Sequence, residues 1–478
     1  MQAFAQPSAW PRVLLVLVGL GALVGFFVYP TYPNYDSLYS LIWGRDLLHG
    51  HLPVFEVYRN PTEHPLALVF GALCAIFGRG GDRLMVFATL ASFVALVGGL
   101  YRLAAAAFTP LVGVIAGALL LSRFDFAFLA ARGYIDIPYL ALVIWAAALE
   151  AQRPRRGLSV FVLLGLASLM RPEAWLMIGG YWLYYVWRRS WGERIRWALI
   201  AAIGPVIWAL TDAIVTGDPL FSLHSTSTLA EELGRANGLS AVPHATWAFL
   251  TSLDKTPVVL LAIAGFVLAL VLVPRRLGMP ALLLAIGLGT FGLVGVAGLS
   301  IIDRYLLIPS LMIMVFAGVP LAGWMFLEPG RARTVWRGLF AVAAVGAIAY
   351  TVANLNLVRF TNELSFRGHY RSDLQRVLDE PAVRAGLKCG PISTPNHKLI
   401  PDVRWITHLD DKHVLARSDH RNDARVRTGV ALYVTDRYAI LRQAFVSPLD
   451  EPPTQVPLPG FRRVATSAYY GAYVRCAR

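Results

Sequence analysis

Apolar residues in this chain fall in blocks long enough to cross a lipid bilayer, and this constrains its fold more than any other feature. A spanning helix needs about 17–25 residues. Blocks of that order occupy 12–30, 83–105, 195–214, 256–273, 279–300, 304–326 and 335–354. Shorter apolar runs at 108–122, 137–150, 157–170 and 174–187 read as tilted or half-covered spans within one bundle, for about eleven spans in all. Hydrophobic residues make up 56% of the 478 positions, too many for a soluble protein of this size. No A-x-A-like cleavage site follows the first block, so it is read as a retained helix.

The formal net charge of +14 invites a nucleic-acid reading, but its distribution argues otherwise. Basic residues gather in short clusters between apolar blocks: Arg153, Arg155 and Arg156; Arg188, Arg189, Arg194 and Arg196; Arg275 and Arg276; Arg331, Arg333 and Arg337. Few acids accompany them, which is the positive-inside pattern of cytoplasmic loops. With these clusters inside, the N-terminus is cytoplasmic. The outer loops are then 31–82, 123–136, 171–173, 215–255 and 301–303, and the tail after about residue 355 is also outside. This parity requires that the apolar stretch 64–77 does not cross, and it is placed as an outer-face helix sunk in the interface.

Two regions differ from the spans. Within 34–50, Tyr35, Leu38, Ile42, Asp46 and His49 fall at helical spacing, and Gly50 with Pro53 ends the pattern. This predicts an amphipathic helix opening near Asp36, which suits an N-cap. The tail predicts a helix from Ser372 to Leu387, interrupted at Pro381. Strand-like runs follow at Val414–Leu415, Val430–Val434 and Tyr469–Val474, with 410–427 as a charged surface loop. The division expected is therefore a transmembrane domain, 1–355, and a small extracytoplasmic α/β domain, 356–478. Cys74 reads as a packed thiol. Cys389 and Cys476 both lie in the tail, where an oxidising compartment would permit a disulfide.

Ionisable residues at span ends are expensive there and become functional candidates. On the outer side these are Asp36, Glu63, His64, Arg132, Asp136, Arg171, Glu173, His224, Asp303 and Arg304, with Tyr305 beside the last. Acids and bases on one side of a bundle suit proton transfer to or from a substrate that carries an anion. Asp36 is the leading candidate for a base, against the plainer role of helix cap. Asp136 divides evenly between site and cap, with Arg132 at i,i+4 spacing as a potential partner. Arg171 and Arg304 suit phosphate through their planar fork, against interfacial anchoring with local ion pairs. Glu63 and His64 make only half a metal site, and a lone His224 is most often solvated. The chain has no G-x-x-x-x-G-K-[ST], H-E-x-x-H, Cys-x-x-Cys or G-x-S-x-G pattern.

Taken in order along the chain, these features resemble a family. After the first span come Asp36 and a helix ending in Leu47-Leu48-His49-Gly50-His51-Leu52-Pro53. Then follow Glu63-His64-Pro65-Leu66, Arg132-x-x-x-Asp136, Leu169-Met170-Arg171-Pro172-Glu173-Ala174, Gly217-Asp218-Pro219-Leu220 and Asp303-Arg304-Tyr305. This order resembles the GT-C superfamily of integral-membrane glycosyltransferases, in particular protein O-mannosyltransferases and lipid A aminoarabinose transferases. The resemblance implies a polyprenyl-phosphate-linked sugar donor, a hydroxyl acceptor on glycan, lipid or protein, and inverting transfer at the extracytoplasmic face of the plasma membrane, in cell-envelope or cell-wall biogenesis. It implies Asp36 as general base, Asp136 as an orienting carboxylate near the reacting centre, and Arg304, with His224, on the donor phosphate. Many relatives carry an acidic pair at the first position, whereas Asp36 is followed by Ser37. Dependence on a divalent metal is therefore left open, and no other cofactor is implied. Two competing classes are a flippase for a lipid-linked glycan, which would show inverted repeats, and a surface-polysaccharide polymerase or ligase.

Overall fold

The computed structural model describes residues 10–235, 238–354, 357–443 and 459–476. The first helices in chain order are α1 (Trp10–Val28), α2 (Tyr35–Leu48), α3 (Pro65–Ala75), α4 (Gly81–Ala107), α5 (Pro110–Leu121), α6 (Phe124–Ala131) and α7 (Asp136–Gln152). Next come α8 (Leu158–Ser168), α9 (Glu173–Val186), α10 (Trp191–Thr216), α11 (Phe221–Glu232), α12 (Val242–Asp254), α13 (Thr256–Leu272) and α14 (Gly278–Val296). The series ends with α15 (Leu307–Ala322), α16 (Arg331–Asn354), α17 (Leu357–Asp379), α18 (Pro381–Gly386), α19 (Ile400–Thr407) and α20 (Arg437–Gln443). The chain forms two compact units, Met1–Val28 with Phe87–Ala209 and Gly234–Phe360, and Tyr29–Val86 with Leu210–Leu233 and Thr361–Arg478.

The first unit is a helical bundle. Among the described residues, five helices of the chain are long and apolar enough to cross a membrane, or seven if each of two bent pairs is one span. That is fewer than the roughly eleven expected from apolar runs alone. The reason lies in breaks that hydropathy does not register. Gly157 at φ +80° and the Arg171-Pro172 turn cut 157–187 into helices of 11 and 14 residues. At 1.5 Å per residue these rise only about 17–21 Å, less than a hydrocarbon core of about 30 Å. Two expected outer loops also contain apolar helices. α6 continues α5 across a 65° bend, and the 239–254 stretch continues into α13 across a 105° bend. Residues 1–9, expected in the cytoplasm, lie outside the described part.

α1 leaves Val13, Leu17 and Phe27 exposed, an apolar surface that water would penalise and lipid would solvate. α15 is the opposite case, with nearly all of its side chains buried. Phe316 packs its ring edge-on to Phe108 and Phe266. A Cβ at Gly265 would collide with the Phe316 carbonyl, so glycine lets α13 and α15 approach backbone to backbone.

The second unit joins helices to a five-stranded sheet of β1 (Ile392–Thr394), β2 (Val414–Ala416), β3 (Gly429–Val434), β4 (Arg462–Thr466) and β5 (Tyr470–Arg475). The order is β2-β1-β3-β5-β4, with β1 parallel to β2 and β3, and β5 antiparallel to β3 and β4. The tail's first helix begins earlier than expected, at Leu357, and ends at Asp379; Pro381 then opens α18 at its first turn, where its missing N–H costs nothing. The 410–427 segment is not a surface loop throughout. It contains β2 and buries Arg417, whose guanidinium donates to Ser393 and Leu432 carbonyls and stacks on Tyr433. Cys389 and Cys476 are joined by a disulfide, with Cα atoms 4.8 Å apart.

This unit also takes in more of the chain than residues 356–478. Leu38, Leu41, Ile42, Cys74 and Met85 share one apolar core with Leu374, Val377, Val403, Val430 and Tyr470. The apolar face of the amphipathic helix α2 is thus partly spent on protein. α2 and α3 cross closely because a Cβ at Gly71 would run into the Ser40 carbonyl. Arg45 near the end of α2 lies over Trp405 and donates to the Arg404 carbonyl and His408 Nδ1.

Candidate functional site

In the first unit the structure gathers Asp136, Arg171, Glu173, Arg304 and Tyr305 from three places in the chain. Asp136 opens α7 and is fully buried. Arg171 sits in the turn before α9, and its Nη1 donates to Asp136 Oδ1 at 2.5 Å. Arg304, in a 3₁₀ turn at Asp303–Leu306, approaches Asp136 Oδ2 with its own Nη1 at 3.5 Å. Glu173 Oε1 lies 3.6 Å from Arg171 Nε. The Arg171 guanidinium lies over the rings of Tyr139 and Tyr305, and that of Arg304 over Tyr134. Burial works against the Arg171 cation, but the Glu173 and Asp136 carboxylates outweigh it and hold its pKa above the ordinary value. Tyr139, Arg171, Glu173, Arg304 and Tyr305 line one pocket.

The arrangement differs in exposure from one cation to the other. The Arg171 side chain is 10% exposed and that of Arg304 28%. Asp136 therefore anchors a buried guanidinium tightly and a more accessible one loosely. The capping role read for Asp136 does not hold. Ile135 occupies the N-cap position, and the Asp136 carboxylate is spent on arginines instead. Arg132 closes α6 and Asp136 opens α7, with Gly133 at φ +67° between them, so the two do not share a helix face at i,i+4.

The other sequence candidates belong to the second unit. Asp36 is half-buried in the first turn of α2. It is not the cap: Asn34 is, its side chain accepting the Ser37 N–H at 3.2 Å. Glu63 is 2% exposed, and neither carboxylate oxygen has a hydrogen-bond partner among the described residues. Burial, and then the nearby Asp212, raise its pKa well above the usual range. His64 precedes α3, whose first residue is Pro65. His224 is exposed on α11 and pairs with Asp218 at 2.7 Å. Among the described residues no group of three or more His, Cys, Asp or Glu side chains is placed to hold a metal ion.

Sequence reasoning passed over Asp212 and Tyr139. Asp212 accepts from the Ser222 N–H and hydroxyl, both at 2.9 Å. A lone acid near the end of the apolar run 195–214 was the signal available for it. Nothing in the sequence distinguishes Tyr139 from other aromatic residues of the spans.

The family model for dolichyl-phosphate-mannose-protein mannosyltransferase matches residues 64–211, which include His64, Arg132, Asp136 and Arg171. Over that segment, under a third of the chain, the sequence is similar to a GT-C superfamily membrane glycosyltransferase, and the fold is similar to those of solved relatives. Among solved structures it is similar to ArnT from Cupriavidus metallidurans in the apo state, at TM-score 0.55 and 16% identity over 98% of each chain. The same protein bound to undecaprenyl phosphate gives TM-score 0.55 and 15% identity over 98% of each chain. The Archaeoglobus fulgidus oligosaccharyltransferase, in a complex with Zn and sulfate, gives TM-score 0.55 and 11% identity over 96% of this chain and 72% of that one. At these identities the likeness to solved structures is one of fold. No curated protein matches the chain.

Proposed function

We propose that the chain transfers a sugar from a polyprenyl-phosphate-linked donor to a hydroxyl acceptor, with inversion, at the extracytoplasmic membrane face. The observation that carries this is the pairing of two arginines on the buried Asp136, which presents Arg304 at a pocket as an oriented donor for phosphate oxygens. ArnT, whose fold this chain shares, has been captured with undecaprenyl phosphate. In the reaction Asp36 takes the proton of the acceptor hydroxyl as its oxygen attacks the anomeric carbon. The bond from that carbon to the phosphate oxygen breaks, and Arg304 stabilises the charge that develops on the departing lipid phosphate. Asp136 acts through Arg171 and Arg304 as a positioning residue. Arg132, His64 and Tyr305 are assigned to substrate contact, and His224 to the phosphate. The short basic clusters between spans support a cytoplasmic side opposite the site.

The test is binding of undecaprenyl phosphate to the protein in lipid nanodiscs. Wild type is expected to bind, and Arg304→Gln to lose about tenfold or more of that affinity through loss of a charge-assisted contact. Equal affinity in the two proteins would remove Arg304 from the donor site.

A further inference from the structure

The pocket beside Arg304 contains two polar atoms that the ion-pair cluster does not use. Glu173 directs Oε1 towards Arg171, but its Oε2 is buried and has no hydrogen-bond partner among the described residues. The Tyr139 hydroxyl is in the same condition, on a side chain 3% exposed. Both residues line the pocket with Arg171, Arg304 and Tyr305. Buried polar atoms are almost always satisfied, and each that is not calls for an explanation. Arg171 does not supply one. Its guanidinium is held between Asp136 and the Tyr139 and Tyr305 rings, over their faces rather than at a hydroxyl.

We propose that Glu173 and Tyr139 hold the sugar of the donor, Glu173 Oε2 accepting a hydrogen bond from one sugar hydroxyl and the Tyr139 hydroxyl meeting a second sugar oxygen. This rests on the lipid-phosphate donor reading above. The ligand it specifies is a hydroxyl-bearing sugar joined directly to a phosphate, because one pocket presents a cation for the phosphate and an acceptor for a hydroxyl. A carboxylate there has a second consequence. A lipid phosphate that has lost its sugar brings Glu173 no hydrogen to accept and adds negative charge beside it. The pocket therefore favours the loaded lipid over the spent one, which assists product release after transfer.

The experiment measures binding to the full chain in nanodiscs. The probes are undecaprenyl phosphate and its glucose-, mannose- and arabinose-linked forms. Wild type is expected to bind at least one glycosylated form about tenfold or more tightly than the bare phosphate, the usual size of a hydrogen bond to a charged group. Glu173→Gln and Tyr139→Phe are expected to bring that ratio down to about twofold. Their affinity for undecaprenyl phosphate should be unchanged, or higher in Glu173→Gln, which removes the repelling charge. Should Glu173→Gln fail to fold, Tyr139→Phe carries the same test with its ring preserved. An unchanged ratio in the variants overturns the proposal, since a water molecule would then satisfy these atoms. No preference for any of the three glycolipids in wild type overturns it as well. A wild type that binds neither undecaprenyl phosphate nor any of its glycosylated forms removes the donor reading itself, a failure separate from these.

Discussion

Arg171 donates to Asp136 across 35 residues of chain, at 2.5 Å and with both side chains buried. Arg304 reaches the other oxygen of the same carboxylate from 168 residues away. One acid thus organises the cationic wall of the pocket, and removing it should cost stability as well as activity. Taking away one partner of a buried ion pair typically costs about 3–5 kcal/mol because the other charge is left buried. Asp136→Ala is expected to lower the unfolding midpoint of the detergent-purified protein, with Asp136→Ala/Arg171→Met recovering part of the loss. A single variant as stable as wild type would show that Glu173 suffices to hold Arg171.

Asp36 and Asn34 should separate chemistry from folding. Asn34 caps α2, so Asp36→Asn is expected to leave the unfolding midpoint in place while sugar transfer falls by about 10²–10⁴-fold, the range for loss of a general base. Asn34→Ala should do the reverse, costing about 1 kcal/mol of stability. Retained transfer by Asp36→Asn, measured as release of polyprenyl phosphate from the glycosylated donor, would end the base assignment.

Glu63 makes a pH prediction. Its folded pKa is raised, so between the unfolded value, near 4.5, and the folded one the native state binds more protons than the unfolded state. Stability from this group is fully present below the unfolded pKa and is lost as pH rises through the folded pKa. Across that window the loss amounts to about 1.4 kcal/mol per pH unit. Glu63→Gln should therefore stabilise the protein at neutral pH and have no effect near pH 4. Unfolding midpoints of the two proteins across this range give the answer, and parallel curves would count against a neutral Glu63.

The Cys389–Cys476 disulfide encloses a sequence separation of 87 residues. Chain-entropy reasoning assigns such a cross-link about 4–5 kcal/mol. Cys389→Ser, or reduction of the wild type, is expected to speed proteolysis within the sheet of the second unit. Undiminished protease resistance would show that the apolar core alone holds that sheet.

Much of the architecture was legible because it follows from local composition. Asn34 and Asp36 show where that legibility ends. Both are good caps, and only the backbone path, with Tyr35 already helical, selects Asn34. The spacing of Arg132 and Asp136 misled for a related reason: i,i+4 implies a shared face only inside one helix, and Gly133 separates α6 from α7. The 410–427 segment misled through its charge, since Arg417 satisfies its guanidinium on carbonyls that belong to distant strands.

By itself the sequence determined that this chain lives in a membrane, where its apolar runs and arginine clusters fall, and which ionisable residues stand at span ends. These depend on hydrophobicity and charge, which each segment carries regardless of its neighbours. Tertiary structure decided how many runs are long unbroken helices, that α2 and α3 share a core with the C-terminal sheet, and which cations Asp136 meets. Those outcomes depend on helix breaks and close packing between segments far apart in the chain. No local pattern records that Arg171 and Arg304 share one carboxylate, or that Tyr139 and Glu173 face the same pocket.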